Sequence, residues 1–139
     1  MNVLVTGASG FIGKNLIAHI SEHEHFSALP FSRQNSNYEL QGMVNQADAI
    51  IHLAGENRPQ DLSAFEKVNS ELTQLLCDCI RTSGRKIPLV FASSTQADQE
   101  NPYGKSKLRA EQALEMLASQ TDNPTVSYTH LTLPTIYSV

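Results

Sequence analysis

Gly7-Ala8-Ser9-Gly10-Phe11-Ile12-Gly13 is the stretch that decides the fold. It follows the apolar run Asn2-Val3-Leu4-Val5-Thr6 directly. It also opens a segment in which Phe11, Ile12, Leu16, Ile17 and Ile20 recur at helical spacing. That order reads strand, tight turn, helix. Gly7 permits the turn, Gly10 lets the backbone approach a pyrophosphate, and Gly13 lets helix and strand pack closely. The first-turn N–H groups and the positive end of the helix then face the phosphates. A glycine pattern alone is a weak signal, and an ordinary strand-to-helix turn is the alternative. Here all three parts stand in the required order.

Outward from this turn the chain alternates. A second strand is expected over His25 to Phe31, closed by Pro30 and the polar stretch Ser32 to Asn37, then a short helix over Tyr38 to Gln46. Ala49-Ile50-Ile51-His52-Leu53 reads as a buried strand. Asp61 is a candidate N-cap for a long helix carrying Leu62, Phe65, Val68, Leu72, Leu75, Leu76, Cys79 and Ile80, with Gly84 at its end. Ile87 to Ala92 is a fourth strand, and Pro102 opens a last helix running from about Tyr103 to Ser119. Continuous apolar strands separated by helices imply a parallel sheet covered on both faces, and right-handed crossovers make it doubly wound. The expected class is therefore α/β, a Rossmann-type sheet, with only four strands and so truncated on its C-terminal side.

The composition agrees with a single soluble domain. The chain has 139 residues, 40% hydrophobic and 17% charged, with 10 Lys+Arg against 14 Asp+Glu. The mild acidity offers no basic footprint for nucleic acid or anionic lipid. No apolar run approaches the roughly 20 residues of a membrane span, and the first residues lack the form of a secretory signal. Cys77 and Cys79 stand too close together for a disulfide framework, which fits a reducing cytoplasm. On a helix they point to different faces, Cys79 to the core and Cys77 unassigned. His19, His23 and His25 read as solvated surface, so no metal site is expected. His52 reads as a satisfied histidine near the site, and Met43 and Met116 as packing residues.

Two further features carry chemistry. Some twenty residues after the glycine turn, an Asp or Glu would take the ribose 2′-hydroxyl of NAD. The chain instead offers Ser32-Arg33. A guanidinium suits a 2′-phosphate, so NADP(H) is favoured over NAD(H), with a solvated loop arginine as the alternative. Tyr103-Gly104-Lys105-Ser106-Lys107 sets a phenol and an ammonium at i and i+4 of a helix. A nearby cation lowers the phenol pKa and makes it usable for proton transfer. By spacing alone a surface pair is the default. The glycine turn and Phe91-Ala92-Ser93-Ser94 at a strand end shift those odds.

TGASGFIG at 6–13, HLAG at 52–55, FASS at 91–94 and PYGKSK at 102–107 resemble the extended short-chain dehydrogenase/reductase family, also called NAD-dependent epimerase/dehydratase. The likeness runs from residue 1 to about 125. HLAGENRP at 52–59 and the run from Ser93 to Lys107 are similar to bacterial capsule and O-antigen reductases, which act on UDP-linked N-acetylated deoxysugars. The resemblance implies Tyr103 as catalytic acid/base and Lys107 as its partner, also bonding the nicotinamide ribose. It implies Ser94 as the residue orienting the substrate oxygen, with Ser93 and Thr95 as neighbours one position away. Cofactor contacts are implied for Gly7, Ser9, Gly10, Phe11, Ile12 and Gly13, for Leu53, Ala54 and Gly55, and for Arg33, Asn69, Tyr103 and Lys107. Asn57 and Arg58 would reach a sugar or phosphate. The family's Val-Tyr-Gly after the serines is replaced by Ala97-Asp98-Gln99, so nothing is carried over for that loop.

The implied reaction is reduction of a 4-keto UDP-N-acetyl deoxysugar in capsule or O-antigen synthesis. An NAD-dependent sugar-nucleotide epimerase and a non-catalytic NADP-binding sensor or scaffold are the alternatives. A nucleotide sugar is the expected partner, and the resemblance allows a homodimer at full length. Family members continue well beyond this length, so residues 1–125 are expected to be the N-terminal part of a longer enzyme, inactive alone. Val126 to Thr135 resembles, residue for residue, the translation of a transposon-type sequencing adapter. Residues 126–139 are accordingly expected to be a non-native tail with no place in the strand pattern.

Overall fold

The apolar runs of the sequence line up as neighbouring strands, and the helical segments cross between them. The structure, a computed structural model, describes residues 1–53, 70–92, 102–128 and 135–136, with backbone alone at 102–104 and 135–136. In chain order the elements are β1 (Asn2–Thr6), α1 (Phe11–Ser21), β2 (Ser27–Phe31), α2 (Asn37–Gln46) and β3 (Ala49–His52). There follow α3 (Leu72–Ser83), β4 (Leu89–Ala92), α4 (Pro102–Thr121), β5 (Thr125–Tyr128) and β6 (Thr135–Ile136). The strands form one sheet in the order β2-β1-β3-β4-β5-β6. The first five are parallel, and β6 runs antiparallel to β5. From β1 the chain moves out to β2 and then back across β1 to β3. The winding therefore reverses at the β1–β3 seam, where a doubly wound sheet opens a crevice at its carboxyl edge.

The alternation of side chains along the strands sorts the core into two layers. Val3, Val5 and Ile51 meet α1 through Leu16, Ile17 and Ile20. Leu4, Ile50, Leu89 and Phe91 meet α2, α3 and α4 on the other face. In α3 the buried Thr73, Leu76, Cys77 and Ile80 recur at three and four, which turns one stripe inward. Each fully buried side chain of the size of Leu76 contributes about 2 kcal/mol. Gly84 ends α3 at φ 67°, a left-handed conformation that favours glycine. Ser36 starts α2 by accepting the Tyr38 N–H at 3.1 Å. Arg85 closes the other end of α2 by donating to the carbonyls of Asn45 and Ala47 at 2.7 and 2.8 Å.

Several expectations change. The sheet has more than four strands: β5 lies parallel to β4, with Thr125 and Ser127 buried, and β6 pairs with it. Residues 125–128 therefore have a place in the strand pattern. The stretch is short and polar, so its apolar period is weak, but β4 offers it a free edge to pair with. Pro30 does not close β2 but sits inside it opposite Val5, tolerated because an edge strand has one unpaired side. The fourth strand begins at Leu89 rather than Ile87. Pro88 has no N–H to give, and the Ile87 backbone is bonded by the Asn123 side chain instead, N–H to Oδ1 at 2.6 Å and Nδ2 to the carbonyl at 2.8 Å. Cys77 is core, wholly buried on the α4 side of α3, and Cys79 is also buried. Met43 packs against the core, but Met116 is 56% exposed on the outer side of α4. Beyond the reach of α1, Val90 and Tyr128 remain partly open to solvent. No helix among the described residues is long and apolar enough to cross a membrane.

Candidate active site at the carboxyl edge of the sheet

The glycine turn sits where β1 ends and α1 begins, at the reversal point of the sheet. Gly7 takes φ 68°. Its carbonyl accepts the Gly10 N–H at 3.1 Å, and the Gly10 carbonyl accepts the Lys14 N–H at 2.9 Å, which starts α1. A Cβ on Gly13 would lie 2.1 Å from the Gly7 carbonyl oxygen, so the close approach expected there is real, and the partner is the turn itself. Ser9 and Gly10 are exposed. Phe11 and Ile12, expected on the apolar stripe of α1, are instead 85% and 64% exposed at the rim. They lie in the first turn, past the end of β1, where none of the described strands covers them. The result is an open cradle with the N–H groups that a helix leaves without intrahelical acceptors. Its shape and charge fit the pyrophosphate of a dinucleotide.

Beside the turn lies a buried polar cluster that the sequence reading half anticipated. His52, the last residue of β3, is fully buried. Its Nδ1 shares a hydrogen bond with Thr6 Oγ1 at 2.6 Å, and its Nε2 shares one with Thr73 Oγ1 at 2.8 Å. Thr6 Oγ1 also accepts the Leu53 N–H at 3.0 Å. A neutral imidazole offers one donor and one acceptor, and each hydroxyl can supply the complement. Burial pushes the His52 pKa down to about 3, with the Lys107 charge adding to the effect. His52 is thus a satisfied neutral histidine. Thr6 and Thr73 were missed; a lone hydroxyl within an apolar strand or stripe was the signal.

Lys107 supplies the main electrostatic feature. The inward stripe of α4 runs through Ser106, Lys107, Ala110, Leu114 and Leu117, so the lysine stands where an apolar residue belongs and is 3% exposed. Its ammonium donates to the Ala92 carbonyl, at the end of β4, at 3.1 Å. It lies over the Phe91 ring, 4.9 Å from the centroid. Burial pushes its pKa down to about 8, opposed by the nearby Glu111 carboxylate. The surface-pair reading of Lys107 is therefore excluded. Tyr103 lies one turn earlier in the same helix, and its side chain is outside what the structure describes.

Thr6, Leu53, Ala92 and the start of α4 share the carboxyl edge, so the structure brings the glycine turn, Leu53 and Lys107 to one rim. Arg33 is exposed two residues beyond the end of β2, on the same edge. Ala54, Gly55, Asn57, Arg58, Asn69, Ser93, Ser94 and Thr95 lie outside the described residues, as does the expected N-cap Asp61. Of the three surface histidines, all are exposed, and His19 lies 4.0 Å from the Glu22 carboxylate.

A sheet wound this way, with a glycine cradle at its seam, defines a dinucleotide-binding fold. The model of the NAD dependent epimerase/dehydratase family matches residues 3–139, and the chain belongs to that family. It is similar to the UDP-2-acetamido-2,6-beta-L-arabino-hexul-4-ose reductase of Pseudomonas aeruginosa, 46% identical over 124 residues, covering 89% of this chain and 33% of the relative. Among solved structures it resembles the capsular polysaccharide assembling protein CapF from Staphylococcus aureus at 37% identity and a TM-score of 0.79, covering 93% of this chain and 35% of that one. The UDP-glucuronic acid 4-epimerase from Bacillus cereus, solved with NAD, shares the fold at 19% identity and a TM-score of 0.79, over 91% of this chain and 55% of that one. The chain spans about a third of the length of the reductase it matches.

Proposed function

We propose that the chain is the cofactor-binding part of an oxidoreductase that reduces a 4-keto UDP-linked N-acetyl deoxysugar for capsule or O-antigen synthesis, with NADP(H) preferred over NAD(H). The observation that carries this reading is the buried Lys107 ammonium at the end of β4, one helical turn after Tyr103 and on the same rim as the glycine cradle. Burying a cation is costly unless a partner or a task retains it. The likeness to a reductase named for a hexul-4-ose supports the keto-sugar substrate.

In this reading the glycine-turn N–H groups hold the pyrophosphate, and Arg33 takes the 2′-phosphate through paired charge-assisted hydrogen bonds. When bound, the nicotinamide supplies the hydride. Lys107 bonds the adjoining ribose and, by its charge, lowers the pKa of Tyr103 so that the phenol gives its proton to the sugar oxygen. Ser94 orients that oxygen with a hydrogen bond that strengthens as negative charge builds. In this reading the enzyme is cytoplasmic, and further sugar contacts come from the part of the reductase's length that this chain does not span.

The test is NADPH consumption by the protein at the full length of its relatives, given a UDP-linked 4-keto-6-deoxy-N-acetylhexosamine. Stoichiometric oxidation of NADPH supports reduction. Interconversion of sugar epimers without net cofactor consumption would overturn it in favour of an epimerase, and cofactor binding with no turnover would leave a sensor or scaffold.

A further inference from the structure

Phe91 is the one aromatic side chain in the described part of the site that touches both buried nitrogen-bearing groups. It is fully buried, its ring stacks on the His52 imidazole with centroids 5.3 Å apart and planes at 27°, and the Lys107 ammonium lies over it. The imidazole is itself fixed at both ends by Thr6 and Thr73, on β1 and α3. An ordered line of groups therefore runs from the β1–β3 seam to the lysine.

We propose that Phe91 is a positioning residue for Lys107: its ring, braced by the doubly anchored His52, offers its electron-rich face to the ammonium and, together with the Ala92 carbonyl, fixes the cation at the carboxyl end of β4. That the fixed ammonium serves a nicotinamide ribose and a tyrosine rests on the functional reading above. Three features support the assignment. The contact is desolvated, which is where a cation over a ring is worth most. The ring gives the ammonium a preferred direction, over its face, in addition to the contact with the Ala92 carbonyl. The imidazole remains neutral, so the ring is not shared with a second cation. Among the described residues the ionisable groups acting on Lys107 are Glu111, one turn on in α4, and His52 of β3.

A ring that stabilises the charged form holds the lysine pKa up against burial, and a ring that merely fills space does not. The experiment replaces Phe91 in the full chain by phenylalanines carrying one, two and three ring fluorines, which keep the shape and progressively weaken the negative face. Lys107 is titrated by NMR of labelled lysine side chains, assigned with Lys107→Met. The expected result is a stepwise fall, reaching about one pH unit at the third fluorine, with thermal stability held. Phe91→Leu, which removes the face altogether, shifts the titration the same way. An unchanged Lys107 titration across a folded fluorinated series overturns the proposal. NADPH binding by the same samples is read separately. Absence of binding in the unsubstituted protein refutes the functional reading while the titration still judges the contact.

Discussion

The His52 imidazole and the Thr6 hydroxyl meet at 2.6 Å across the β1–β3 seam, directly beneath the glycine turn. This bond joins the two strand ends between which the crevice opens, and Thr73 extends it to α3. Folding holds the imidazole neutral, with its pKa near 3 against an ordinary value of 6.5. The folded state thus binds this proton less readily than the unfolded one. The contribution is complete above pH 6.5, and it is lost as pH falls from there toward 3. Urea unfolding at a series of pH values should show His52→Leu destabilised near neutrality by about 2 kcal/mol, because Thr6 and Thr73 each lose their hydrogen bond to the ring. The same variant should depend less on pH between 6 and 4 than the wild type.

Gly13 should tolerate no side chain. With 2.1 Å between an added Cβ and the Gly7 oxygen, Gly13→Ala must push α1 off the turn. A loss of about 2 kcal/mol in thermal unfolding is expected, together with loss of NADPH binding by fluorescence titration. Gly42, where a Cβ meets nothing within 4 Å, provides the control, and Gly42→Ala should be neutral or slightly stabilising.

In the proposed reading the preference for NADP(H) rests on Arg33. Arg33→Ala should weaken NADPH binding at least about tenfold and leave NADH unchanged, because only the 2′-phosphate is addressed. Equal losses for both cofactors would place the arginine elsewhere in the site.

Burial pushes the Cys77 thiol up to about 12 and raises that of Cys79 as well, so neither is a thiolate at neutral pH. Thiol titration with a disulfide reagent should therefore detect neither cysteine in the native chain and both after unfolding in urea.

The glycine turn was legible in the sequence because its glycines answer local backbone demands: a positive φ at Gly7 and, at Gly13, a backbone so close to the Gly7 carbonyl that no Cβ fits. The strands β1 to β4 and the helices were legible because their apolar periods match their layers. What escaped depended on contacts distant in sequence. Thr6 and Thr73 acquire meaning only when β3 brings His52 between them. Helical spacing assigns no face to Cys77 and puts Met116 in the packing wrongly, because it leaves the width of the buried stripe open and the neighbouring helix sets it. β5 escaped because Thr125 and Ser127 are polar, and their burial follows from pairing with β4. The depth of Lys107 was equally invisible: i,i+4 spacing is the same on either face of a helix.

In the proposed reaction Tyr103, tuned by Lys107, delivers the proton to the keto sugar. The most direct measurement is the rate of NADPH oxidation with the 4-keto UDP sugar by the full-length protein, wild type against Tyr103→Phe. Tyr103→Phe is expected to lose at least about a hundredfold in kcat with little change in NADPH binding. Equal rates for the two proteins would contradict this role for Tyr103.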